Sequence, residues 1–158
     1  MAVRLGCAIA AVIALVGIPM FGMHRLHQWQ DRPVESVRIA QQVTVTGWDR
    51  LAAFAWSPGD DLPEGLAYFA GPQPYPDPVT AVQVPSIALR PVDRVQEAPD
   101  HSVQLALGSR PDHCSASVVA NPDAKRYSFD HTAVAVQLTA ARNAGKLVIL
   151  VRVSGCPV

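Results

Sequence analysis

The sequence predicts an α+β fold: an N-terminal transmembrane helix, then one mainly β domain with one helix near the C-terminus. Three observations predict it: residues 5–23 are an uncharged apolar run, residues 34–120 often alternate apolar and polar side chains, and residues 131–144 contain neither glycine nor proline. An uncharged run of about 18 or more residues is typical of a membrane span, because a helix satisfies its own backbone in hydrocarbon. Alternation is typical of half-buried strands. We expect the domain to form a small barrel or a sandwich-like sheet.

The N-terminal region has two interpretations. In the first, residues 1–4 are a cytoplasmic n-region, residues 5–23 an uncleaved signal-anchor, and residues 24–33 a juxtamembrane linker. In the second, the apolar run is a cleaved signal peptide and the protein is secreted. Cleavage requires small residues at −3 and −1, and the nearest pairs place Leu15 or Met20 at −3. The sequence therefore favours the anchor.

Composition and cysteines limit partners and location. The 13 basic and 13 acidic side chains cancel and form no basic patch, so nucleic acid is not an expected partner. Residues 34–158 are enough for one domain. Basic residues flank both ends of the apolar run, so the cysteines decide its orientation. Paired thiols persist in oxidising compartments, which predicts a single-pass protein of the bacterial inner membrane with its C-terminal domain in the periplasm.

Cys114 and Cys156 both lie in the predicted domain. We predict a disulfide between them, which would close a loop of roughly 40 residues and stabilise the fold by about 4 kcal/mol. The alternative is two free thiols in a cytosolic protein.

Hydrophobic patterns place the elements of the domain. Alternation over 37–45 predicts a strand, and 48–56 also favours a strand although its alanines permit a helix. Further strands are predicted over residues 79–89, 102–107, 114–120 and 147–153.

The helix over residues 131–144 has signals at both ends. Asp130 is a suitable N-cap, and Gly145 stands where a left-handed C-cap is expected. Val134, Leu138 and Ala141 share one face, which predicts packing onto a sheet.

Residues 57–78 are predicted to form a long proline-rich loop. Six of the chain's 14 prolines lie there, and proline supplies no backbone donor to a sheet. Tyr68, Phe69 and Tyr75 are the aromatic residues of this loop. We predict that they form a binding surface, and the alternative is that they attach the loop to its own core.

No catalytic motif is present. The chain contains no G-x-S-x-G, H-E-x-x-H, C-x-x-C, S-x-x-K or phosphate-binding P-loop sequence, so we predict neither an enzyme nor a metal or cofactor site. His101 and His113 each follow an aspartate, which leaves a small hydrolase as an alternative.

The C-terminal part carries a resemblance. The sequence Tyr-Ser-Phe-Asp at 127–130, the stretch from Thr139 to Lys146, and the strand that ends in Gly155-Cys156 resemble small exported bacterial β-barrel proteins. Some of these are similar to the receptor-binding B subunits of bacterial toxins. The resemblance implies a disulfide-tied OB-like barrel with a binding role.

The expected function is a membrane-anchored binding or structural module of a bacterial envelope assembly, with a protein partner in the envelope. The alternative is a periplasmic inhibitor or immunity protein that blocks a toxic enzyme with the acidic segment 60–64. Co-purification distinguishes these functions, because each implies a different partner.

Overall fold

A computed structural model describes residues 34–57, 63–92, 102–122 and 132–157. The chain divides into two units between Pro33 and Val34, and every element below belongs to the second. The predicted anchor at 5–23 and linker at 24–33 lie outside the described residues. Among the described helices, none has the length and apolar character needed to cross a membrane.

The described chain is mainly β, with strands accounting for 45% of it. In chain order the elements are α1 (Glu35–Gln42), β1 (Thr44–Val45), β2 (Asp49–Trp56), β3 (Glu64–Gly71), β4 (Val82–Gln83), β5 (Arg90–Pro91), β6 (Val103–Ser109), β7 (Ser115–Ala120), α2 (Thr132–Asn143) and β8 (Leu147–Ser154). The predicted fold class is therefore wrong. The described ranges contain two helices instead of one and no helix that could span a membrane.

The strands form two antiparallel sheets. The larger has the order β2-β3-β8-β7-β6-β5, and β1 pairs with β4 in a separate two-stranded sheet. Within the described residues, the end strands β2 and β5 do not pair, so the large sheet is open and does not close into a barrel, which was one of the two expected forms. Strands β3 and β8 are neighbouring interior strands and are almost fully buried, which their apolar sequences permit on both faces.

Each face of the large sheet carries its own hydrophobic cluster. On one face, Phe69, Val118 and Val151 pack beneath helix α1 and the small sheet. On the other face, Tyr68 and Leu150 pack against Leu138 of helix α2. Alternation within β3, β7 and β8 distributes successive side chains between the two clusters.

Helix α1 replaces a predicted strand. The prediction of a strand over 37–45 is wrong up to Gln42, because small residues complete a helical face that the large apolar residues alone do not reveal; only Thr44–Val45 is a strand. The residues buried by this helix and its C-cap are Ser36, Val37, Ile39, Ala40 and Val43. Their spacing of three and four is helical. The Ser36 hydroxyl donates to the Pro63 carbonyl at 2.7 Å.

Strand β3 replaces the middle of the predicted proline-rich loop. The prediction of a loop over 57–78 is wrong for Glu64–Gly71, because this strand lies between Pro63 and Pro72 and contains no proline itself. Gly65 allows helix α1 to approach it closely, since a Cβ there would lie 2.1 Å from the Ser36 carbonyl oxygen.

The other predicted elements have mixed outcomes. The strand over 79–89 is reduced to Val82–Gln83 followed by a turn, where Ser86 adopts a φ of 61°. The strands predicted over 48–56, 102–107, 114–120 and 147–153 are confirmed within one or two residues. Helix α2 is also confirmed, and it buries Leu138 and Ala141 as expected.

Candidate functional site

The structure separates the three predicted binding aromatics. Tyr68 and Phe69 lie in the interior strand β3, with exposures of 1% and 2%. Their rings face opposite clusters, and Phe54 stacks on Tyr68 at a centroid distance of 5.9 Å. Neither side chain is accessible to a partner, so both belong to the core. Tyr75, beyond the strand, is half-buried.

Tyr75 is held in place by the turn before strand β2. Its ring stacks with Trp48 at a centroid distance of 6.4 Å, and both rings pack against the cluster beneath helix α1. Trp48 in turn lies flat over Gly71, where a Cβ would meet the indole at 2.3 Å. Glycine at 71 therefore lets Trp48 lie against the end of β3, and this positions Tyr75 at the edge of the core.

A cleft opens beside Tyr75, with a volume of about 240 Å³. It lies where β3 ends, β7 ends and β8 begins, next to the C-terminus of helix α2. Its lining residues are Gln73, Tyr75, Asn121, Arg142, Gly145, Lys146, Leu147 and Val148. We call this the Tyr75 cleft.

Two cations line the Tyr75 cleft. Arg142 lies in the last turn of helix α2, and its Nη2 donates to the Pro122 carbonyl at 2.5 Å. Lys146 follows the left-handed Gly145, and its Nζ lies 2.9 Å from Asp49 Oδ2 in an exposed ion pair. Asp49 is not among the lining residues, and the lining contains no carboxylate.

The phenol of Tyr75 is a neutral donor at physiological pH. Burial raises the pKa of this phenol above its ordinary value, and the positive charge of Arg142 and a backbone hydrogen bond with Asn121 oppose the rise without cancelling it. A neutral hydroxyl can both donate and accept a hydrogen bond.

The sequence did not point to the other polar residues of the cleft. Arg142 and Lys146 flank the predicted C-cap Gly145, and two cations there are ordinarily explained by the helix dipole. Gln73 and Asn121 carry no motif at all. Only the fold brings these segments together, because the loop after β3 and the end of β7 are distant in sequence from helix α2.

The predicted disulfide between Cys114 and Cys156 is present and confirmed. It ties the start of β7 to the residues that follow β8, and both cysteines are buried in the cluster beneath helix α1. Arg110 reinforces the preceding turn, because its guanidinium contacts both Asp112 and Glu35.

The geometry around His113 does not form a triad. Asp112, which would have to orient His113, instead accepts hydrogen bonds from Nε and Nη2 of Arg110. The hydroxyl of Ser115, a possible nucleophile close to His113 in the sequence, lies 3.3 Å from the Ser154 hydroxyl. His101 lies outside the described residues. Within the described ranges, no cluster of three His, Cys, Asp or Glu side chains could hold a metal ion.

The predicted acidic inhibitory segment 60–64 is described only at its end. Glu64 is buried and forms an ion pair with Arg152 of the neighbouring strand β8. This carboxylate is therefore committed to the sheet and is not presented to a target. Asp60 and Asp61 lie outside the described residues.

Comparison with known proteins identifies no similar protein. No protein-family model matches the chain, and neither a curated protein nor a solved structure is significantly similar to it. The toxin-subunit resemblance of the C-terminal segment therefore stays a prediction. Any functional conclusion depends on the geometry of the site.

Proposed function

We propose that residues 34–158 form an extracytoplasmic binding module of the cell envelope, and that the Tyr75 cleft contacts its protein partner. The observation that carries this proposal is the cleft itself: an open concave surface to which three separate segments contribute, residues 73–75, Asn121 and residues 142–148. Concave sites with a few convergent polar groups are the usual places for recognition.

The chemistry of the lining supports a binding role over a structural one. Gln73, Asn121 and Arg142 are exposed, and the two hydrophobic clusters of the sheet are complete without them. Exposed polar side chains that line a cleft can contact another molecule without any loss of core packing. Tyr75 adds an aromatic ring already fixed by Trp48, so little side-chain entropy is lost on binding.

The disulfide supports the location. Structural disulfides form and persist in oxidising compartments and are rare in the cytosol. Because Cys114 and Cys156 are bonded and buried, the domain suits a periplasmic or otherwise exported environment.

Blocking the cleft tests the proposal. Gln73 is exposed at the cleft, so Gln73→Trp should fill the opening without disturbing the core. Gln83→Trp places the same side chain at an exposed position of strand β4, away from the lining. Both variants and the unmodified chain are purified from the cells that produce the protein, and stoichiometric partners are quantified.

We expect a stoichiometric envelope protein to be retained by the unmodified chain and by Gln83→Trp, and lost from Gln73→Trp. Equal retention by both variants, or no stoichiometric partner for the unmodified chain, would contradict the proposal. Melting temperatures of both variants verify that the domain remains folded.

A further inference from the structure

The charge of the Tyr75 cleft restricts what can occupy it. The lining holds Arg142 and Lys146 and no carboxylate, so its formal charge is positive. The ion pair between Lys146 and Asp49 is exposed, with side-chain exposures of 45% and 77%, and such pairs exchange readily with solvent. An anionic group is therefore the favoured occupant.

The neighbouring helix end does not account for both cations. The C-terminus of helix α2 carries partial negative charge, which one basic side chain in the last turn would offset. Arg142, however, donates to the Pro122 carbonyl and not to its own helix. Its guanidinium has five N–H donors, and the described bond to Pro122 occupies one.

The other polar groups complete a set of donors. The Tyr75 phenol is neutral, and the exposed Gln73 contributes an amide side chain to the same lining. A guanidinium fork matches two oxygens of a carboxylate or a phosphate, and neutral donors supply the remaining hydrogen bonds.

The size of the cleft sets the size of the group. Pockets for drug-sized ligands and cofactors measure about 300–1,000 Å³. The Tyr75 cleft, at about 240 Å³, is smaller and suits a group of one residue or one phosphate.

We infer that the Tyr75 cleft is an oxyanion site, in which Arg142 and Lys146 bind a carboxylate or phosphate group. This inference rests on the proposed function and names the chemistry that the partner presents there. Arg142 supplies the fork, Lys146 supplies the second charge, and Tyr75 supplies a neutral donor.

Heteronuclear NMR of the isotope-labelled full chain tests the inference without a partner. The probes are N-acetylglycine, the uncharged N-acetylglycinamide, inorganic phosphate, and sodium chloride at matched ionic strength. We expect saturable shifts of the Arg142 side-chain signal and of the Gly145 and Lys146 amide signals with one or both oxyanions. The amide and chloride should leave these signals in place. A response to N-acetylglycine alone identifies a carboxylate, and a response to phosphate alone identifies a phosphate.

Substitutions assign the response to the cleft. Arg142→Gln should weaken oxyanion binding by about tenfold or more, because a charge-assisted hydrogen bond is lost. Arg90→Gln, at an exposed position of strand β5, should bind as the unmodified chain does. Arg142→Lys keeps the charge and loses the fork, so it should bind with intermediate affinity, and it replaces Arg142→Gln if that variant does not fold.

Three results would overturn the inference: equal shifts with N-acetylglycinamide, no saturable shift with either oxyanion, or unchanged binding in the Arg142 variants. If oxyanion binding is not observed but Gln73→Trp still loses the partner, only the oxyanion site is rejected and the proposed function is retained. If oxyanion binding is saturable but the partner experiment fails, the oxyanion site is retained and only the protein partner is rejected.

Discussion

Arg110 connects three segments that are far apart in the sequence. Its Nη1 donates to Glu35 Oε1 at 3.0 Å and to Ser86 Oγ at 2.9 Å, and its Nε and Nη2 contact the two oxygens of Asp112. The N-terminal turn of helix α1, the turn after β4 and the turn before Cys114 therefore meet at one guanidinium. A planar fork with five donors suits such a junction, and a lysine could not make all four contacts.

The Arg110 junction predicts acid sensitivity. The guanidinium holds the pKa of Asp112 below its ordinary value, mainly through the side-chain hydrogen bond. Below a pH of about 4, the unfolded chain therefore binds more protons than the folded chain. Stability falls as the pH falls through the pKa that Asp112 has in the folded state. Melting temperatures measured across acid pH should decline less steeply for Arg110→Met than for the unmodified chain.

Arg38→Met is the matched control, because Arg38 is exposed and lies 3.7 Å from Glu35. It should keep the acid dependence of the unmodified chain. An identical decline in Arg110→Met would show that Asp112 gains no stability from this junction.

At the scale of elements, the sequence predicted what large apolar residues and caps determine. Helix α2 and strand β8 were found because Gly145 separates a helical face from an apolar run. Helix α1 was missed because half of its buried face consists of the polar Ser36 and the small Ala40, which give a weaker periodic signal than the large apolar residues. Strand β3 was missed because the density of flanking prolines obscured eight residues that contain none.

The site was less predictable than the fold for a related reason. Tyr75 was identified through its aromatic side chain, but Tyr68 and Phe69 have the same chemistry and lie in the core. Which aromatic faces a cleft depends on the register of β3 against β8, and that pairing joins segments about 80 residues apart. Nothing in the sequence distinguished Arg142, because its hydrogen bond to the Pro122 carbonyl forms only when the chain is folded.

Helix α2 is attached to the sheet mainly through Leu138. This side chain is 1% exposed in the cluster with Tyr68 and Leu150, whereas Val136 of the same helix is 63% exposed. Leu138→Ala should lower the free energy of unfolding by about 2–5 kcal/mol through lost burial and a cavity. Val136→Ala should change it by less than about 0.5 kcal/mol.

Chemical denaturation of both variants measures the difference. Equal effects of the two substitutions would mean that helix α2 does not pack through the face described above. Arg142 lies on this helix. The same experiment therefore also tests whether packing of helix α2 onto the core holds one wall of the Tyr75 cleft in place.

For the whole molecule, the disulfide joins the two ends of the segment that contains β7, α2 and β8. Cys114 and Cys156 are separated by 42 positions, and the loop-entropy relation gives a stabilisation of about 4 kcal/mol. The double variant Cys114→Ser, Cys156→Ser should lose stability of that order in denaturation experiments. Adding reductant should destabilise the unmodified chain and leave the double variant unchanged. If reductant also destabilises the double variant, the stabilisation comes from another thiol.

The architecture separates the stabilising core from the proposed binding site. The two clusters and the disulfide stabilise the sheet, and the Tyr75 cleft lies at the strand ends beside helix α2. Recognition residues at the end of a rigid scaffold can change without loss of the fold. We therefore expect substitutions of Gln73 or Arg142 to affect binding more than folding.

Photo-crosslinking in the producing cells tests the central claim, that the Tyr75 cleft is where the partner binds. A photoreactive amino acid is placed at Gln73 or Lys146 in the cleft, and at Gln83 or Arg90 as exposed controls outside the lining. We expect both cleft positions to form an adduct with the same envelope protein and neither control to do so. An adduct with that protein from the controls but not from the cleft, or no adduct from either cleft position, would contradict this claim.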